Sequence, residues 1–300
     1  MAAPPSRFFE DPHRVRRWTL GLVIGAALGS LALARLWPEG QVGIAVVLIL
    51  GLGLQHGALD HILHAHMHGD PEGPLRQSFA LPYVAAIGLA WMAFEWAPPI
   101  MLGLFLAVSA YHFGMSHLRV DAMRHDAQPS GTAGTTLGAV VLAPMILRPD
   151  ALEVLAIYGW NISLGFGGPW FPLQLASGAA LLLTAVLHMQ WRTGWLPLSG
   201  ALLAWCVDDL LLAFALYFTL GHAREAFFEE FKERQSVSTH FRNLYLRSLP
   251  LTAAFAVMAG AVLWAMHAGT LAERTALSFL LAGTLPHIAV LEGWVTARMR

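Results

Sequence analysis

The stretch 195-WLPLSGALLAWCVDDLLLAFALYFTLGHAREAF-227 decides how the chain is counted. It is apolar over more than the roughly 20 residues one helix needs to cross hydrocarbon, yet Asp208 and Asp209 stand in its middle. As a single crossing it would be overlong and would hold two carboxylates at mid-depth. As two helices, a short one to about Cys206 and a full one from about Asp209, it puts the Asp pair at a turn.

Working outward, other apolar runs of spanning length lie near 18 to 37, 41 to 59, 78 to 97, 99 to 117, 131 to 147, 171 to 190, 248 to 268 and 275 to 295. Residues 150 to 169, rich in Gly and Pro, suit an interfacial connection better than a span. Composition agrees: 56% of the 300 residues are hydrophobic, 12% are charged, and the mean hydropathy is +0.56. Soluble domains of this size carry about twice that share of charge. The expected fold is an all-α, polytopic transmembrane helical bundle of about ten membrane-embedded helices, one pair being a short or re-entrant hairpin, in one integral membrane domain over 1–300.

Basic residues test the count, because Lys and Arg gather in cytoplasmic loops. Ten spans with both termini cytoplasmic leave only Arg35, Arg148 and Arg274 outside, and the other 15 of the 18 basic residues inside. A single crossing at 195–227 would put Arg192 and the basic loop after Arg224 on opposite faces. The run from Trp18 to Trp37 follows Arg7, Arg14, Arg16 and Arg17 and is too long for the apolar part of a secretory signal, so it is read as a retained first span. A net charge of −1, with no basic patch interleaved with aromatics, argues against nucleic-acid partners. Cys206 is the only cysteine, which excludes an intrachain disulfide and a thiolate metal cluster.

In this topology His56, His112 and His222 lie at similar depths near the cytoplasmic ends of their spans. At 1.5 Å per residue their offsets agree within about one helical turn. Polar side chains inside a span are costly to leave unpaired, so three imidazoles in one layer point to a metal site between helices. The bland reading, in which each His is interhelical hydrogen-bonding glue, loses ground when the depths match. Asp60, four residues after His56, is placed to accept that ring's second N–H and fix its tautomer. Gly57 leaves room beside it. His287 follows Pro286 in the last span and is a further intramembrane histidine. The run His61, His64, His66 and His68 lies past the span between Asp60 and Asp70 and reads as a solvated interfacial loop. His13, His125, His188, His240 and His267 show no paired spacing.

The segments His56-Gly57-Ala58-Leu59-Asp60, Tyr111-His112-Phe113-Gly114-Met115, Tyr217-Phe218 before His222, and Leu285-Pro286-His287 come in this order on a polytopic chain. Together they resemble the Brp/Blh-type bacterial β-carotene 15,15′-dioxygenases over about residues 41 to 295, leaving 1–40 as an N-terminal extension that carries the first span. The resemblance implies a bacterial inner-membrane enzyme that holds non-haem Fe(II) through histidines and cleaves β-carotene with O2 to two molecules of retinal. His56, His112 and His222 match three iron ligands. The family's fourth ligand, a His four residues after the third, is here Ala226, and His117 stands where the family commonly has an acidic residue. Either His117 or Glu225 then supplies a replacement ligand or the metal keeps only three protein ligands, with Asp60 and His287 supporting the ligands from outside.

Tyr111 and Tyr217, beside the ligand positions, are the candidate catalytic residues. Trp91, Trp96, Phe113, Trp205 and Phe218 are candidate channel aromatics, although packing or interfacial anchoring explains most such residues. The implied partners are a lipid-dissolved carotenoid, O2, and an opsin as recipient of the retinal. Three rivals remain. A metal-ion transporter would need ligands strung along a pathway, a diiron desaturase would need several paired histidine boxes beyond His112 and His117, and a non-catalytic carotenoid- or retinal-binding relative would need no reaction at all.

Overall fold

A computed structural model describes residues 36–68, 77–122, 130–146, 148–160, 209–223 and 241–298, with single positions between 21 and 33 and at 203 and 207. The described residues are helical, with no strand among them. In chain order the helices are α1 (Gly40–Leu48), α2 (Leu54–Gly57), α3 (Asp60–Met67), α4 (Gln77–Trp96), α5 (Pro98–Ala122), α6 (Gly131–Ile146), α7 (Pro149–Ile157), α8 (Leu210–Leu216), α9 (Phe241–His267) and α10 (Glu273–Arg298). A π-helical turn, Ile49–Gly53, joins α1 to α2, and a second, Tyr217–Ala223, continues α8.

Among the described residues four stretches are long and apolar enough to cross a membrane: Ser78–Trp96, Pro98–Leu118, Leu246–His267 and Glu273–Gly293. Gly40–Gly51, Gly131–Ile146 and Leu210–Ala223 are shorter apolar helices. Their outer faces carry large apolar side chains that water would not tolerate in such density, with Trp96 94%, Val257 73% and Trp264 70% exposed. By length and composition these helices are of the kind that cross a membrane. The runs expected at 18 to 37 and 171 to 190, and the first half of the 195–227 block, lie outside the described residues apart from single positions. The second half starts as expected: Asp209 has extended backbone, and its Oδ1 accepts the Leu212 N–H at 2.7 Å, which caps α8.

The tightest helix pair is α5 against α6. Small residues make that approach possible: a Cβ on Gly114 would overlap the Gly134 carbonyl oxygen and stand 2.6 Å from Gly138 N, and one on Gly138 would overlap the Ala110 carbonyl. Gly134 and Gly138 thus form a G-x-x-x-G face that lets two backbones touch. Helix α10 packs on α4 and α3, and α8 packs on α1.

Two connections differ from the sequence expectation or refine it. The His61 to His68 stretch is not a loop, because α3 runs through it; Ile62 and Leu63 are 3% and 0% exposed, and Leu63 packs with Leu291 of α10. Burial of that apolar stripe holds the segment helical despite its four histidines. The stretch after α6 forms the short helix α7, opened by Pro149 and closed at Tyr158 before Gly159, whose φ of +87° suits glycine. Tyr158 is buried among Phe94, Leu102 and Ala282, with its hydroxyl 3.3 Å from Ser278 Oγ, and burial pushes its phenol pKa up.

Candidate metal centre

Each histidine of the centre stands at a local irregularity or a close packing point. His56 follows the first π turn, and His222 lies inside the second. The two π turns face each other: a Cβ on Gly53 would be 2.5 Å from Phe218 Cε1, so only glycine lets the aromatic seat there. His112 is two residues before Gly114, where α5 meets α6 most closely. His287 follows Pro286 within α10. A Cβ on Gly57 would sit 3.6 Å from His287 Nδ1, so the space beside His56 is filled by that ring.

The four imidazoles converge. His112 Nε2 is 3.2 Å from His222 Nε2, and His287 Nε2 is 3.1 Å from His56 Nε2. Ring centroids are 4.5 Å apart for His56 and His287, 5.3 Å for His56 and His222, and 6.3 Å for His56 and His112. One ligand nitrogen each from His56, His112 and His222 lies within 4.8 Å of the others. Exposure is 1% for His56, 3% for His112, 1% for His222 and 7% for His287.

Such a cluster fits a cation. Imidazoles sealed from water are neutral donors, and nitrogens with nothing to bind cost several kcal/mol in an apolar surround. His112 and His222 face each other through Nε2, as do His56 and His287, and two N–H groups cannot both point along such a contact. Two nitrogens bound at right angles to one ion at about 2.1 Å lie about 3.0 Å apart, close to the 3.1 and 3.2 Å separations of the two pairs. An all-nitrogen set suits first-row metals such as Fe(II) and excludes the oxygen-seeking Mg and Ca.

Comparison with protein families matches residues 47–295 to the model described as beta-carotene 15,15′-dioxygenase. The chain belongs to this dioxygenase family. Neither the curated proteins nor the solved structures gave a match. The family accounts for dioxygenase chemistry on a carotenoid as the class of reaction, and its match takes in all four clustered histidines.

The remaining expected site residues of this family member divide. Asp60 does not bond to His56: its Oδ1 is 2.8 Å from His287 Nδ1, and its Oδ2 accepts the Tyr83 hydroxyl at 2.8 Å. The reason is local, since α2 ends at Gly57 and α3 begins at Asp60, so the two residues share no continuous helix face. His287, expected to support the ligands from outside, has its Nε2 3.1 Å from His56 Nε2. His117 Nε2 lies 2.8 Å from the Tyr217 hydroxyl, with its ring 6.2 Å from that of His222, so Tyr217 engages His117 beside the centre. The Tyr111 hydroxyl donates to Glu292 Oε2 at 3.1 Å. Glu225, Ala226, Asp208 and Trp205 lie outside the described residues.

Phe113 packs on His222 with centroids 4.3 Å apart, and Phe218 stacks on it at 5.7 Å and 23°. Trp91 packs edge-on against Phe279 at 5.5 Å, and Trp96 stands on the outer face. Sequence reasoning missed Tyr83, whose only signal was a hydroxyl-bearing aromatic in an apolar span.

Proposed function

We propose that the chain is a membrane-embedded non-haem iron oxygenase that cleaves a carotenoid, most simply β-carotene plus O2 to two molecules of retinal. The observation that carries this reading is the sealed cluster of imidazoles on a chain of the dioxygenase family. His56, His112 and His222 would hold the iron, with His287 against them. When bound there, Fe(II) would supply the O2 chemistry that the protein side chains lack. In balance, the central C=C bond breaks and each carbon takes one oxygen atom of O2, giving two aldehydes with no external reductant.

The chain's own residues do the rest. Phe113 and Phe218 cover His222 and keep water from its ring. Tyr217 and His117 hold each other beside the centre, and Tyr111, tied to Glu292, fixes α5 to α10. A carotenoid dissolves in the bilayer, so a sideways path between apolar helices suits it. We place the protein in the bacterial inner membrane as one domain over 1–300, with about ten membrane-embedded helices and both termini cytoplasmic. An opsin is the natural recipient of the product.

The test is expression in β-carotene-accumulating bacteria, with extraction of retinoids and metal analysis of the purified protein. Loss of colour and appearance of retinal, both abolished by His112→Ala, are expected. Bound iron without retinal would point to another substrate, and a folded protein that takes up no metal would overturn the iron centre.

A further inference from the structure

Asp60 is an ionisable side chain at 0% exposure that turns to His287 rather than to His56. Its two oxygens are both engaged, Oδ1 with His287 Nδ1 and Oδ2 with the Tyr83 hydroxyl, each at 2.8 Å. Tyr83 is on α4, Asp60 on α3 and His287 on α10, so the chain of bonds ties three helices together. It ends at a ring nitrogen, His287 Nε2, 3.1 Å from His56 Nε2.

A carboxylate is an acceptor, and the proton in its bond to His287 therefore sits on Nδ1. In a neutral imidazole this leaves the lone pair on Nε2, aimed at the histidine cluster. A carboxylate that fixes the tautomer and swing of an imidazole in this way is the usual partner of a metal-binding histidine. The ring is centred 4.5 Å from His56 and 5.5 Å from His112, beside the group of three whose ligand nitrogens lie within 4.8 Å of one another. His117 is a poorer donor, since its Nε2 already faces the Tyr217 hydroxyl.

We propose that His287 is the fourth imidazole ligand of the centre, and that Asp60 and Tyr83 are positioning residues that set its tautomer and aim. This rests on the reading of the cluster as a metal site. It assigns to α10 a part in the ion's binding that His56, His112 and His222 alone would not need. A purely structural His287 would instead be half of an N–H···N bond to His56, and the metal would bind equally well without it.

The experiment uses the full chain in detergent, loaded anaerobically with Fe(II). X-ray absorption counts imidazole scatterers in the wild type, and competition with a chelator gives relative affinity. Four imidazoles are expected in the wild type and three in His287→Ala. Asp60→Asn is expected to keep four imidazoles while weakening iron binding by about 10- to 100-fold, and Tyr83→Phe to weaken it less. Three imidazoles in the wild type would overturn the proposal even if His287→Ala failed to fold. So would a folded His287→Ala protein that binds iron within twofold of the wild type. A folded wild type that binds no Fe(II) would instead sink the metal reading together with this ligand. Asp60→Asn with unchanged affinity would remove the positioning role.

Discussion

Replacing Gly114 by Ala tests whether the centre depends on the closeness of α5 and α6. An added Cβ would overlap the Gly134 carbonyl oxygen and stand 2.6 Å from Gly138 N and 2.7 Å from Gly134 C, all backbone atoms that no rotamer change can move. Ordinary contact begins at 3.4 Å, so the shortfall at Gly138 N alone is 0.8 Å and the overlap with the Gly134 oxygen demands more. A gap of that order forfeits a quarter to a half of each surrounding dispersion contact. Overpacking of this kind costs about 1–3 kcal/mol, and the backbone partners put it near the upper end. At about 2–4 °C per kcal/mol the melting temperature should fall by roughly 5–10 °C. Because His112 is two residues away and only 3.2 Å from His222, iron affinity should fall with it. Thermal unfolding of the detergent-solubilised protein reads the first effect, and chelator competition reads the second. Gly88→Ala is the control: its Cβ meets nothing within 4 Å, and alanine in a helix interior gains roughly 0.5–1 kcal/mol over glycine. If the two variants melt alike and bind iron alike, the close-packing account is wrong.

Gly53→Ala presses instead on a side chain, Phe218, at 2.5 and 2.8 Å. The ring can turn away, so stability should fall by only about 1 kcal/mol, while iron affinity drops because Phe218 stacks on His222; unchanged affinity would uncouple the π turns from the centre. Arg148→Met removes the donor to the Val207 carbonyl at 2.6 Å and the paired bonds to Asp150 at 2.9 and 2.8 Å. A loss of about 2–3 kcal/mol is expected, with faster hydrogen exchange in the peptide that carries Val207; equal exchange would assign the anchor no weight. Stripping the metal with a chelator should lower the melting temperature, since an ion at a hundred times its dissociation constant adds about 2.7 kcal/mol. A melting curve indifferent to Fe(II) would argue against a site built from separate helices.

Much of the arrangement was legible in the sequence because membrane helices advertise themselves by length and apolarity. The runs at 78 to 97 and 248 to 268 correspond to α4 and α9, and Asp209 marks the start of α8 by the same capping chemistry that operates in water. Depth counting at 1.5 Å per residue puts His56, His112 and His222 in one layer, and their ligand nitrogens do converge. Angle was not legible. The pairing of Asp60 with His56 assumed an unbroken helix, and the chain is interrupted between Gly57 and Asp60. The helical state of residues 60–67 was missed because the histidines were weighed and the buried stripe of Ile62 and Leu63 between them was not. The closeness of α5 to α6 was written in Gly134 and Gly138, a spacing that could have been read.

The π turns explain why depth survived where angle did not. A π turn closes hydrogen bonds from i to i+5 and so accommodates one extra residue, which rotates everything beyond it relative to an unbroken helix while changing its height little. His56 comes after one such turn, and His222 lies within the other. Their depth therefore follows from counting residues, but the direction of each ring depends on where the extra residue is absorbed. Glycine decides that place for the first turn, because the approach of Phe218 excludes a Cβ at Gly53. The second turn carries Phe218 and His222 together, so the same contact that seats the aromatic against Gly53 also aims the imidazole at His112. Irregular backbone, costly in a membrane unless buried in protein, is spent here where two helices must each turn a histidine inward.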